Sequence, residues 1–436
     1  MSLGSALSIA QSGLNAASRS ADLTSQNIAN ALNENYSRRE MSLTTRTTGG
    51  VAVTGVTRFV DQAVTADRRT AEAGSAGSTA RASFHSDLEE AIGVAGATGS
   101  LGSMVSGLEG ALIDAASQPQ SATALGTAVQ AADTLASRIN SLGDTVQAAR
   151  LKADGQIATT VRDLNTALKQ VETLNTQIAS MGGSGKDVTT LQDQRQTLVD
   201  GIARQIPLRE VTRDDGRIAL VTQSGATLLD GKAPTLGFSP VNTMTAEMTT
   251  ESGALSGLTL NGHPMTSLGD GELAAQFDIR DALGVEAQAD LDTVAQDLTT
   301  RFAGSGLIEA GPDGLQVNAA LQEEPWRLRD GLGATMEGAA GDATRLGALV
   351  SAMGEGRGAE GAAKDLLSGV SSARIASEDE ASFRTAQYDT LRTAELANGV
   401  DSDAEMTNLL VIQQAYSANA KVIQAVDAMM NTLLEL

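Results

Sequence analysis

The sequence predicts a mainly α protein with a β-rich insert: an antiparallel helical bundle formed with paired N- and C-terminal helices, plus a small outer β domain. Three observations lead there. Both ends carry apolar residues seven apart, the pattern of a helix that packs lengthwise against another. From about 101 to 200, apolar residues recur at helical spacing. Between 206 and about 270 that period gives way to short runs rich in Val, Thr and Leu, separated by glycine turns.

At the N-terminus Leu7, Leu14, Ala21 and Ile28 form one row of a heptad, and Leu3, Ala10, Ala17, Thr24 and Ala31 form the other. Most of these side chains are small, so a partner helix can approach closely. A helix of about 28 residues is about 42 Å long. The C-terminal run repeats the design. Leu409, Tyr416, Ile423 and Met430 recur every seven residues, with Ile412, Asn419, Val426 and Leu433 at the alternate positions. Asp401 or Ser402 is placed to cap this helix, and Asp403 and Glu405 lie in its first turn, where the helix dipole favours carboxylates. Two seams of similar length predict pairing with each other or with neighbouring copies. Two ordinary core helices are the alternative.

Between the ends, Leu108, Leu112, Leu125, Val129, Leu135, Ile139, Leu142 and Val146 mark one helical stretch. The pattern resumes after Lys152 with Ile157, Val161, Leu164, Leu168, Val171, Leu174 and Ile178, and a break at Met181 to Gly185 separates these from a helix at 191–206. Each helix must bury one stripe, which gives a bundle. Two strand-like runs, 207–212 and 217–222, flank Asp215-Gly216, a hairpin signal. Helix returns at Gly271, and 340–370 is Gly/Ala-rich and uninformative. The expected division is therefore 1–40 with 395–436 as paired inner helices, 41–205 with 271–394 as the helical bundle, and 206–270 as the inserted β domain. Bounded by helices that would stay contiguous, the insert is expected to be dispensable for assembly.

Composition narrows the function. The chain has 436 residues, 53 acidic and 31 basic, for a net charge of -22. That sign disfavours nucleic acid and anionic lipid as partners. Aromatic residues are 2% and cysteine is absent, which excludes disulfides, thiol nucleophiles and thiolate metal sites. The first residues lack a basic segment followed by an apolar run, so export would use a route that reads no cleaved signal. The uncharged stretch Ala91 to Leu108 is too rich in Gly, Ala and Ser for a membrane span. His85 and His263 have no metal-ligand neighbours at useful spacing. Gly185-Lys186 fails as a phosphate loop because Ser180 stands where a glycine is needed and Asp187 where a hydroxyl is needed. Asp401, Asp403 and Glu405 begin like a calcium loop, but Met406 occupies the obligatory glycine position, so helix capping explains them. The expectation is a non-enzyme without cofactor or metal.

The ends also carry a specific signature. Ser25, Asn27, Ile28, Ala29, Asn30, Tyr36, Ser37 and Arg38 resemble the N-terminal motif of flagellar rod, hook and hook-associated proteins. The family's Thr-Pro-Gly before the tyrosine is Asn33, Glu34 and Asn35 here, and Asn can also adopt the left-handed backbone. Glu405, Met406, Thr407, Asn408, Leu409, Gln413, Gln414, Ala415, Tyr416, Ala420, Val422, Ile423, Asp427, Met429, Leu433 and Leu434 are similar to the C-terminus of the hook-associated protein 1 family. Segments 191–203 and 271–282 support that family over flagellin, the hook subunit or a sibling junction protein. A signalling coiled coil, which has similar Ala-rich heptads, predicts no β insert.

The resemblance implies a structural subunit at the junction of hook and filament, here a short version with one small outer domain. It implies export through the flagellar type III apparatus to an extracellular position, and a need for the protein in filament assembly and motility. The implied partners are other copies of itself, the hook subunit, the second junction protein and an export chaperone on the C-terminal helix. The implied assembly residues are Leu3, Leu7, Leu14, Ala21, Ile28, Asn30 and Tyr36 at one end. At the other they are Leu409, Ile412, Tyr416, Ile423, Val426, Met430 and Leu433.

Overall fold

The N-terminal seam forms one helix, α1 (Leu3–Ala29), in a computed structural model that describes residues 3–94, 97–312, 314–356 and 358–434. A hairpin follows, β1 (Arg39–Thr45) against β2 (Val51–Arg58), in register from Arg39↔Arg58 to Thr45↔Val51. This stretch was expected to belong to the helical bundle. It is instead strand, and its tip is fixed by Gly49 and Gly50, both at positive φ. The tip lies on α1 so closely that a Cβ at Gly50 would fall 2.3 Å from the Ser12 hydroxyl.

The bundle begins with α2 (Gln62–Ile92), capped by the Asp61 carboxylate, then α3 (Leu101–Ser117), capped by Ser100. Next comes α4 (Ala122–Gly183), a single helix of 62 residues and so about 93 Å long. The expected interruption near Lys152 does not occur. The apolar stripe only looks broken there, because the inward positions after Val146 are Arg150 and Asp154, both fully buried. The helix α5 (Thr189–Gln205) returns alongside.

The β-rich stretch makes two small antiparallel sheets. One is β3 (Leu208–Thr212), β4 (Ile218–Thr222) and β5 (Thr227–Leu229), with the expected turn at Gly216, whose φ is +80°. The other is β6 (Leu236–Gly237), β7 (Thr259–Leu260) and β8 (His263–Pro264). Helix α6 (Glu272–Asp278) then runs through a π-helical turn (Ile279–Leu283) into α7 (Gly284–Arg301). A short hairpin, β9 (Glu309–Gly311) and β10 (Gly314–Gln316), and two short helices, α8 (Ala319–Glu323) and α9 (Arg327–Asp330), lead to α10 (Thr344–Gly354). The chain ends with α11 (Gly358–Ala397) and α12 (Ser402–Leu434). The Gly/Ala-rich stretch near 350 is therefore helical: Leu346, Leu349, Met353 and Ala359 are all buried.

Two cores hold the bundle. The first joins Leu108 and Leu112 of α3, Leu135 and Leu142 of α4, Leu291 and Leu298 of α7, Leu349 of α10 and Leu366 of α11. The second joins Ile157, Val161 and Leu168 of α4 and Val199 and Ile202 of α5 to Leu208, Ile218, Leu220 and Leu229 of the strands. Burying each such side chain contributes about 1.5–3 kcal/mol. The β-rich stretch is thus not a detached outer domain. It covers one face of α4 and α5, and its removal would expose that core.

Candidate assembly interface

Helices α1 and α12 pair antiparallel. Gly13 faces Asn419, Thr24 faces Asn408 at 3.5 Å, and Asn27 meets Glu405 at 3.1 Å. The pairing is close: a Cβ on Gly13 would fall 2.8 Å from the Asn419 side-chain oxygen. On α1, Ala10, Ala16 and Thr24 are buried, while Leu3, Leu7, Leu14, Ala21 and Ile28 are half-buried along the edge of the contact. On α12, Leu409, Ile412 and Ile423 are half-buried and Val426 is buried, as the heptad requires.

Three residues of the expected seam lie outside this pair. Tyr416 and Met430 are 43% exposed and Leu433 is 61% exposed. The register explains it. Continued at the same pitch, the pairing brings 429 opposite Leu3, so Met430 and Leu433 extend past the described part of α1. Tyr416 falls level with Ala16 in this register and stays largely exposed, while the neighbouring Asn419 makes the close contact with Gly13.

A second row went unread in the sequence. Val411, Ala415, Ala418, Val422, Ala425 and Met429 follow one another at spacings of three and four along α12, and all are exposed. The signal was present, since this spacing is itself a seam. It was masked because a narrow helix with two apolar stripes reads as one broad heptad.

The N-terminal signature folds into a lock around the buried Asn27. Its amide donates to the Arg39 carbonyl at 3.0 Å and to Glu405 at 3.1 Å. Its oxygen accepts from the Tyr36 hydroxyl at 2.7 Å and from the Arg39 amide at 3.1 Å. Every hydrogen-bonding position of the side chain is used. Signature residues from opposite ends of the chain therefore meet at one point. Burial raises the Tyr36 pKa, with Arg39 opposing the shift, so Tyr36 stays a donor. Asn30 is less central: its amide closes the last turn of α1 on the Gln26 carbonyl. Asn35 does not take the left-handed backbone expected of it, since Asn261 is the one non-glycine with positive φ among the described residues. The Asn33 side chain accepts from the Asn35 amide at 3.2 Å instead, forming a turn that does without proline and glycine.

The two internal segments are electrostatic clamps. Asp193, in the first, receives Arg39 at 3.0 Å and Arg58 at 2.7 Å from the hairpin, while Arg195 donates to Asn175 and to the Gly216 carbonyl, each at 2.8 Å. Arg280, in the second, is wholly buried against Asp154 at 2.7 Å and under the rings of Phe277 and Phe238. Arg150 donates to the Arg280 carbonyl at 2.8 Å and to the Thr245 carbonyl at 3.1 Å, which ties down the irregular loop before β7. Its stem passes where Gly284 has no side chain; a Cβ there would sit 2.5 Å from Arg150 Cγ. The expected cap on α12 is Asp401, which accepts from the amides of Asp403 and Ala404. His85 stacks edge-on against Phe84, and burial lowers its pKa.

The family described as the flagellar hook-associated protein FlgK helical domain matches residues 86–304, half of the chain. The C-terminal region of the flagellar basal body rod FlgEFG proteins matches 397–436. Flagellar hook-associated protein 1 of Salmonella typhimurium is 28% identical over 52% of this chain and 43% of its own length. That of Escherichia coli is 25% identical over 52% of this chain and 44% of its own. The matched region thus spans less than half the length of these relatives. That of Bacillus subtilis is 22% identical over 98% of this chain and 97% of its own. The flagellar hook junction protein FlgK from Burkholderia pseudomallei has a TM-score of 0.47 at 18% identity, over 55% of this chain and 43% of that one, a likeness too low to bear on the fold. The chain belongs to the flagellar hook-associated protein FlgK family.

Proposed function

We propose that this protein is a structural subunit at the hook–filament junction of the bacterial flagellum, exported by the flagellar type III apparatus and required for filament assembly and motility. The observation that carries the reading is the uncovered row on α12. Val411, Val422 and Met429 are each about half exposed in line, a face that a free monomer gains nothing by displaying. The terminal pair joins other copies of this chain, the hook subunit below and the second junction protein above. In a tube each subunit offers different patches to its neighbours, so one seam repeats along the lattice. An export chaperone covers the C-terminal helix before assembly. The protein acts by assembly rather than by chemistry, at an extracellular site, and takes no cofactor.

The test separates the two rows of α12. Val422→Asp places a charge on the outer row and leaves the intramolecular pair intact. The expected phenotype is a cell with hooks, secreted variant and unpolymerised flagellin in the medium, without filaments. Antibody against the wild-type protein should mark a thin band between hook and filament. Normal filaments on Val422→Asp cells, or label confined to the cytoplasm, would overturn the reading.

A further inference from the structure

Neither core contains a residue of α1, of the β1–β2 hairpin or of α12. The buried apolar residues of those elements, Ala10, Ala16 and Val426, lie within the terminal helices and none lies where they meet the bundle. Among the described residues, the hydrogen bonds and ion pairs identified across that meeting all involve arginine. Arg39 reaches Thr190 and Asp193, Arg58 reaches Asp193 and Gln196, and Arg392 of α11 reaches Glu34 in the turn after α1. Only two short strands of backbone cross as well, at 59–61 and 398–401.

These contacts fall into two classes. Asp193, Arg39 and Arg58 have side chains about one-tenth exposed, so their attraction is little screened. Both arginines converge on one carboxylate, one on each of its oxygens. Glu34 differs: its side chain is 68% exposed and it meets Arg392 at 2.5 Å. Exposed pairs of that kind hold weakly and weaken further with salt. Arg392 is itself held by Glu395 at 3.0 Å, which in turn holds Arg68 of α2, so the bundle side of the contact is anchored and the Glu34 side is free to leave. A cavity of about 70 Å³ lies beside this contact, lined by Glu34, Tyr36, Phe59, Val60, Arg392 and Leu396.

We propose that the terminal helix pair is carried on a polar joint, with Asp193 as its pivot and Glu34–Arg392 as a separable latch. With the latch closed the pair has one orientation on the bundle. With it open the pair tilts about Asp193 toward the cavity. The joint would let identical subunits meet surroundings of different geometry without repacking an apolar core, since a directional charged contact can be remade where interlocked side chains cannot. The mechanical claim holds whether or not the chain sits at a junction.

The chain has no cysteine, so Ser18→Cys on α1 and Lys169→Cys on α4, both exposed, give a clean pair for spin-label distance measurement on the full protein. At low salt the wild type should show one narrow distance. Raising salt from about 0.05 M to about 1 M, which shortens the screening length several-fold, should broaden it. Glu34→Gln should be broad at both salts. Asp193→Asn should lose the narrow peak while the bundle keeps its melting temperature. A narrow distance in Glu34→Gln at low salt would overturn the latch, and a narrow distance in Asp193→Asn would overturn the pivot.

Discussion

The bundle and the terminal pair both hold long helices side by side, and they do so by opposite means. The bundle fills its interior with Leu, Ile, Val and Phe from many elements. The pair buries Ala10, Ser12, Ala16, Thr24, Asn27, Glu405 and Val426, mostly small or polar groups, and leaves larger side chains half or fully exposed. Area scales with apolar stabilisation, so the pair alone is the weaker body. Long helices without deep packing are marginal in water. The difference separates a part that closes its own core from one that keeps large apolar side chains on its surface.

The largest break in this contrast should come from the buried charges of the bundle. Asp154→Ala takes from the buried Arg280 one of its two carboxylate partners, leaving Asp281, and strands the Val241 amide; it is expected to cost about 3 kcal/mol. Urea unfolding followed by circular dichroism checks it, and a loss below about 1 kcal/mol would show that Asp281 alone suffices for Arg280. Asn27→Ala comes next. It strands the Tyr36 hydroxyl and the Arg39 amide, and should cost the pair about 1–3 kcal/mol while sparing the bundle. Hydrogen exchange should speed up in 24–39 and 402–409 alone. Exchange rising equally in α4 would erase the distinction between the two bodies.

Ile423→Asp should have a smaller intrinsic effect, roughly 1–2 kcal/mol, because Ile423 is only half-buried. Limited proteolysis of the monomer reads it. The wild type should lose roughly its first and last few dozen residues before the bundle is cut, Ile423→Asp should lose them sooner, and Val422→Asp should match the wild type. Equal resistance of ends and bundle would count against a weaker pair.

A titration sharpens the picture where α11 meets α2. Burial pushes the Glu395 carboxyl up, but the Arg68 charge and hydrogen bonds from Arg68, Thr65 and Arg392 outweigh it, leaving the pKa below its ordinary 4.5. A carboxylate depressed in the folded state contributes stability that is present above its unfolded pKa and is lost as pH falls through the folded one. The wild type should therefore exceed Glu395→Gln in stability at neutral pH, and the gap should close as pH drops below 4.5. A gap that widens in acid would reverse the assignment. The smallest effect is reserved for Lys421→Ala, exposed and off both rows, which should stay within about 0.5 kcal/mol of the wild type.

The helical class, the paired ends and the Asp-Gly hairpin were legible because each rests on local period or turn chemistry. The cap at Asp401 was legible for the same reason. What escaped has a common physical origin. Arg150 and Asp154 count as polar in any periodicity, so a continuous helix read as two; their burial depends on Arg280, over a hundred residues away. The β1–β2 hairpin is short and half exposed, and it gains its place from Ser12 and Asp193 rather than from its own alternation. Leu433 and Met430 fit the heptad as letters, and only the register of an antiparallel partner decides which heptad positions have something opposite them.

The unbroken helix α4 has a last consequence. It forms a wall of the first core with its N-terminal half and a wall of the second with its C-terminal half. No loop lies between the two to absorb a twist. A twist applied to one half therefore passes down a single hydrogen-bonded ladder to the other, and the two cores turn together.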